Sequence, residues 1–275
     1  MLPIGLNHMT VRNASARELL SVATALGCVG VELRNDLGRS FFDGEHPRAF
    51  AEAAAAKGLR ILALAEVKAF NDSPVEKLEM ARALIDTAVA CNAEAVALIP
   101  AVASEALSRR DQQTALRRAL GLLQPILESR GIKGLIEPLG FATSTLRFKE
   151  DAVRILDEMN RPECFAIVHD TFHHHIAGEA KVCADLTGLV HISGITDPAF
   201  AVDQMADAHR VLVDADDRLD NIGQLRLLRA AGYSGPASFE AFAPDIHEMK
   251  DPTAALAGSI AFINASLADV TAGAA

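Results

Sequence analysis

The sequence predicts an α/β protein with one domain, a (β/α)8 TIM barrel. Three observations predict it. Short apolar runs alternate with longer amphipathic runs, eight times over, along 275 residues. That length suits a single barrel, which commonly takes about 250 residues. The first strand-to-helix turn, residues 7–13, holds no glycine and no GxGxxG, which argues against a doubly wound dinucleotide-binding sheet. No linker, low-complexity tract or charge block marks a second domain. One barrel is expected over residues 1–270, with 271–275 as a frayed tail.

Each element has its own signal. Residues 4–8, after Pro3, read as the first strand. Residues 15–26 carry apolar residues at helical spacing, with Ser15 and Glu18 as a capping box and Gly27 as the stop. The second strand is 29–33. A helix over 47–57 has Pro47 in its first turn and Gly58 past its end. The third strand is 60–66, and Ser73 caps a helix over 74–91. Strand 95–99 leads to a long helix, 109–130, bent at Pro125. Strand 132–137, helix 149–159 and strand 165–169 follow. A short helix is expected at 178–185, a strand at 189–193 and a helix at 221–230 ended by Gly232. Strand 236–240 and a helix over 252–267 complete the eight units.

Composition narrows the function. The formal net charge is −10, and no Lys/Arg run is present. A nucleic-acid partner would call for a basic face. No signal peptide is legible at the N-terminus, and no apolar run reaches the roughly 18 residues that span a bilayer. The four cysteines, Cys28, Cys91, Cys164 and Cys183, form no CxxC pair and read as buried free thiols. A cytoplasmic protein with no membrane partner is expected.

In a barrel the C-terminal strand ends build the active site. Here they carry Asn7-His8, Glu32 to Asp36, Glu66 with Lys68 and Asn71, Glu137, His169-Asp170, His191 and Glu240. Alone, a strand-end glutamate caps a helix or pairs with arginine. A carboxylate ending an apolar strand is costly without a partner. Glu137, Asp170, His191 and Glu240 end or lie on strands five to eight, and a cation is the simplest common partner. Oxygen ligands with one imidazole suit Mn2+, Mg2+, Zn2+ or Co2+. Such an ion could chelate a carbonyl and its neighbouring hydroxyl and stabilise an enediolate, while Glu137 and Glu240 move protons on and off carbon. Of the run His173-His174-His175, only His173 is expected to face the site, because consecutive side chains diverge. Arg109-Arg110 and Arg117-Arg118 read as a solvated helix face. Asp214, Asp216, Asp217 and Asp220 read as a loop with helix caps.

The motifs VELRND (31–36), IEPLGF (136–141), HDTFHHH (169–175), LVHISG (189–194) and GYSGPASFEAF (232–242) occur in this order. Together they resemble the xylose-isomerase-like TIM-barrel superfamily of sugar isomerases and epimerases. The best likeness is to its 2-keto-myo-inositol (inosose) isomerase group, over essentially the whole chain. The resemblance implies one divalent metal, Mn2+ favoured, on Glu137, Asp170, His191 and Glu240, with both glutamates also catalytic. It implies substrate contacts by His173 and Arg210, and less strongly by Glu32, Asn7 and Asn71. Two positions depart from the wider pattern. Gly194 stands where many members carry a carboxylate, and Ala241 where they carry proline; neither removes a ligand.

The expectation is a metal-dependent isomerase of inositol catabolism, acting on a small-molecule keto-polyol or ketose. A ketose 3-epimerase and an inosose dehydratase are the neighbouring reactions. From other classes stand a non-catalytic sugar-binding barrel and an endonuclease IV-like metallonuclease, the latter opposed by the −10 charge. A homo-oligomer accords with relatives that are often dimers or tetramers.

Overall fold

Period-two alternation along eight strands builds the molecule. The computed structural model describes residues 1–102 and 108–268; the expected tail at 271–275 lies outside the described residues. The strands are β1 (Ile4–Asn7), β2 (Gly30–Arg34), β3 (Arg60–Lys68), β4 (Ala95–Ile99), β5 (Lys133–Ile136), β6 (Phe165–Asp170), β7 (Thr187–Ile192) and β8 (Ala237–Phe239). They form a closed parallel barrel in chain order, with β1 pairing β8 through Ile4 and Ala237. Helices surround it: α1 (Ala16–Ala25), α2 (Pro47–Ala56), α3 (Pro74–Ala90), α4 (Arg109–Arg130), α5 (Lys149–Glu158), α6 (Thr171–Ala177), α7 (Asn221–Ala230), α8 (Pro244–His247) and α9 (Pro252–Ala268).

Two apolar regions result. The larger packs the outward strand faces against helices, with Leu6, Val31, Ile136, Ile167, Val190 and Phe239 buried in it. The smaller includes Leu62, Ala95, Leu135, Ala166, Val168 and Leu189. Successive side chains on a strand alternate between faces. Leu135 therefore shares its face with Glu137, Val168 with Asp170, and Leu189 with His191. A polar layer stands on an apolar one, at the C-terminal end where barrel sites form.

The capping box is present: Ser15 N donates to Glu18 Oε2 at 2.7 Å, and Glu18 N to Ser15 Oγ at 3.2 Å. Two local expectations change. Ser73 makes no side-chain cap; it lies in left-handed backbone (φ 45°), and Pro74 opens α3. The helix expected at 178–185 forms instead at Thr171–Ala177, with only a 3-10 turn at Ala184–Leu186. Asp170 caps its start, accepting from Phe172 N and His173 N, and Gly178 ends it at φ 71°. Glycine adopts that conformation without steric cost. The short helix α8 was not anticipated.

Candidate metal and acid-base site

Glu137, Asp170, His191 and Glu240 come together at the C-terminal ends of β5 to β8. All four are buried, and one ligand atom from each lies within 4.8 Å of the others. His191 Nδ1 faces Glu240 Oε2 at 3.3 Å, Glu137 Oε1 at 3.4 Å and Asp170 Oδ2 at 3.9 Å. Asp170 divides its work. Its Oδ1 holds the first amides of α6, at 2.8 and 3.0 Å, and its Oδ2 turns to the cluster.

Two buried arginines supply positive charge. Arg210 Nη2 donates to Asp170 Oδ2 at 2.6 Å and to Glu240 Oε2 at 3.1 Å. Arg34 Nη1 donates to Glu240 Oε1 at 2.6 Å, and its other nitrogens grip Asp36 at 2.8 and 2.7 Å. The ring of Phe242 lies under both guanidiniums, 4.7 Å from Arg210 and 5.6 Å from Arg34. Cation–π contact of this kind suits a desolvated arginine.

These neighbours split the two glutamates. Burial raises the Glu137 carboxyl above its ordinary range, although His191 opposes the shift. Burial also pushes Glu240 upward, but His191, Arg210 and Arg34 outweigh it and hold Glu240 well below. His191 is driven downward by burial; the carboxylates of Glu240, Glu32 and Glu137 reverse this and raise it. Glu137 has one side-chain partner, His191, among the described residues. Glu240 has four: Asn7, Arg34, His191 and Arg210.

A cavity of about 400 Å3 opens onto the cluster. Glu137, Glu240, Arg34, Arg210, His173 and Lys68 are among its lining residues, with Phe141 and Leu139 as apolar wall. Its size falls in the range of small-molecule sites. Of the expected substrate contacts, His173 and Arg210 are at this cavity. The other three are placed elsewhere. Asn7 donates to Glu240 Oε1 at 3.2 Å and accepts from Met9 N. Asn71 is buried between loops, bonded to Thr145 Oγ1 and to Ala101 N at 2.9 Å each. Glu32 lies behind His191, its Oε2 3.0 Å from His191 Nε2.

Two buried basic side chains were missed by sequence reasoning. Arg34 follows Glu32 by two residues and so shares its inward face; that spacing was the available signal. Lys149, the first residue of α5, is buried against the 169–174 segment. Its Nζ lies 3.0 Å from His169 Nδ1 and also meets His174 Nδ1. Gln224 Nε2 donates to Thr171 O and Leu219 O, which leaves its Oε1 to accept from His169 Nε2 at 2.9 Å. Burial, then Lys149, lowers His174 to about 3. Nothing in the sequence marked Lys149, because a lysine at a helix start usually reads as solvated.

The other expectations fall into place locally. Cys28, Cys91 and Cys164 are buried free thiols, and Cys183 is half-buried. Asp220 accepts from Gly223 N and Asp217 from Asn221 N, as helix-start caps. Arg109 reaches Asp151 at 2.9 Å.

Comparison with known proteins agrees with the fold. A family model described as xylose isomerase-like TIM barrel matches residues 20–266. Inosose isomerases of Halalkalibacterium halodurans and Bacillus subtilis are each 25% identical over 173 residues, or 61% of this chain. The match spans about 60% of those relatives' length. A xylose isomerase domain containing protein from Salmonella typhimurium LT2 superposes with a TM-score of 0.84 at 27% identity, over 98% of this chain and 97% of that one. The IolI protein with a bound zinc atom gives 0.87 at 20% identity, over 98% and 99%. A D-allulose 3-epimerase from Methylomonas sp., in complex with D-allulose, gives 0.70 at 19%, over 98% and 96%. The last two likenesses are of fold. Among the described residues, no helix is long and apolar enough to cross a membrane.

Proposed function

The chain belongs to the xylose isomerase-like TIM barrel family, and on that premise we propose that it is a divalent-metal-dependent isomerase of a keto-polyol, 2-keto-myo-inositol first. One observation carries the reading: three carboxylates and an imidazole converge at a cavity whose wall includes two of those carboxylates. The donor set fits a divalent ion. Among the described residues its carboxylates already pair with Arg34, Arg210 and His191. It offers one nitrogen and several oxygens and no thiolate, which suits Mn2+, Mg2+, Co2+ or Zn2+. A bound ion would supply Lewis acidity to a carbonyl and its neighbouring hydroxyl.

The chain's own residues do the rest. Glu137, raised by burial and with a single side-chain partner, takes the proton from the hydroxyl-bearing carbon and returns it to the former carbonyl carbon. Glu240, steadied on both oxygens by Arg34, Asn7 and Arg210, moves the hydroxyl proton from one oxygen to the other. Both transfers are general acid–base steps. Arg210 and His173 contact substrate hydroxyls. Phe141 and Leu139 keep water from the reacting carbons.

The test is an NMR assay in D2O with 2-keto-myo-inositol and added Mn2+, run with and without chelator. The expected result is metal-dependent formation of a second keto-inositol, with deuterium beside the carbonyl. No conversion and no exchange with this substrate would overturn the inosose assignment and direct the same assay to ketohexoses as a 3-epimerase.

A further inference from the structure

We infer that Glu32 is the residue that prepares His191 for metal, and that it is not a substrate contact. The inference rests on the metal reading above.

An imidazole has two nitrogens, and in the neutral ring only one keeps a proton. A metal needs the bare one. His191 Nδ1 points at the carboxylates of Glu137, Asp170 and Glu240, at 3.3 to 3.9 Å. His191 Nε2 points the other way, to Glu32 Oε2 at 3.0 Å. A carboxylate oxygen beside Nε2 accepts its N–H, so Nδ1, which faces the cluster, is the nitrogen left to give up its proton to a metal. A second carboxylate of this kind fixes ring orientation and makes the ligating nitrogen a better donor.

The placement of Glu32 supports this role over others. Glu32 is 1% exposed and is not part of the cavity wall. Its neighbour two residues on, Arg34, turns to Asp36, Glu66 and Glu240 and forms no pair with it. Its other oxygen, Oε1, is buried with no hydrogen-bond partner. A carboxylate so placed is costly unless paired, and its one side-chain partner among the described residues is His191. The geometry starts in the sequence. Strand alternation sets Glu32 on the inward face of β2, level with Asn7 of β1, from where its side chain reaches His191 of β7, three strands away round the ring.

The test compares metal affinity in the wild-type chain and in Glu32→Gln, which keeps side-chain size but not charge. Co2+ binding is followed by visible absorption against a competing chelator, without substrate. The expected result is a loss of about 10- to 100-fold in Co2+ affinity, with an unchanged circular dichroism spectrum. A wild-type chain that binds Co2+ and a variant that binds it equally well would overturn this inference alone. A wild-type chain that takes up no Co2+ would overturn the metal reading and this inference together. If the variant fails to fold, the Zn2+-loaded wild type decides by nitrogen-15 NMR of His191. A proton on Nε2 upholds the assignment, and a proton on Nδ1 overturns it.

Discussion

At the scale of single residues, Glu137 and Glu240 differ less by chemistry than by company. Both are buried glutamates on one ring of strand ends. One is left with a single side-chain partner and holds its proton more readily than usual; the other is gripped by two guanidiniums and stays ionised. Groups whose environments push their proton affinities apart are the usual mark of divided acid and base roles. Glu240→Gln keeps the volume and removes the charge. It is expected to lower turnover by at least about 10²- to 10⁴-fold, the range of one acid–base group, while the circular dichroism spectrum is kept. A variant with near-native turnover in the D2O assay would sink the two-glutamate mechanism. Arg34 shows how such a partner escapes notice. In VELRND it looks like an ordinary strand-end arginine, and only its 2.6 Å contact with Glu240 reveals its place.

At the scale of elements, α6 does more than its seven residues suggest. It starts on a candidate ligand, Asp170, and carries His173 to the cavity. Its position depends on Gly140, just after β5. A Cβ there would stand 2.2 Å from His173 O, 2.5 Å from Ile176 Cγ1 and 2.9 Å from Ala177 N. Two of those atoms are backbone and cannot rotate away. Gly140→Ala must therefore push α6 or the β5 loop aside. The expected cost is about 1–3 kcal/mol of stability, with a raised KM because His173 moves. Urea unfolding and steady-state kinetics check it; a variant with wild-type midpoint and KM would show that the contact is slack. The helix expected at 178–185 belongs to the same lesson. The spacing over 178–185 points to a helix after the glycine, whereas the Asp170 cap starts one before it.

At the scale of the whole molecule, one buried charge is set to show in global stability. Burial lowers Lys149 to about 8, against the opposing pull of Glu179, Cys183 and Asp170, from an ordinary value of 10.5. The unfolded chain therefore binds this proton more readily than the folded one between those two values. Stability rises with pH wherever the unfolded state binds more protons. Below about pH 8 both states carry the proton and the penalty is present in full; it is relieved as pH climbs toward 10.5. Lys149→Met removes the titration. Its unfolding free energy, measured by urea from pH 7 to 10.5, should lack the rise that this lysine adds in the wild type. Identical slopes would show that Lys149 does not carry the shift.

What the sequence by itself determined is large where the signal is local. The alternation of strands and helices, the capping box at Ser15 and the strand-end positions of Glu137, Asp170, His191 and Glu240 depend on neighbours a few residues away. Periods of two and of 3.6 record them directly. Barrel closure then brings four ends of one sheet to one mouth, so candidate ligands could be named from strand ends alone. What only the tertiary structure decided is which partner each buried charge finds. Glu32 meets His191 from 159 positions away, Arg34 meets Glu240 from 206, and Lys149 meets His169 from 20. No periodicity records such pairs. They exist because a charge taken out of water must be neutralised by whatever the closed barrel places across from it.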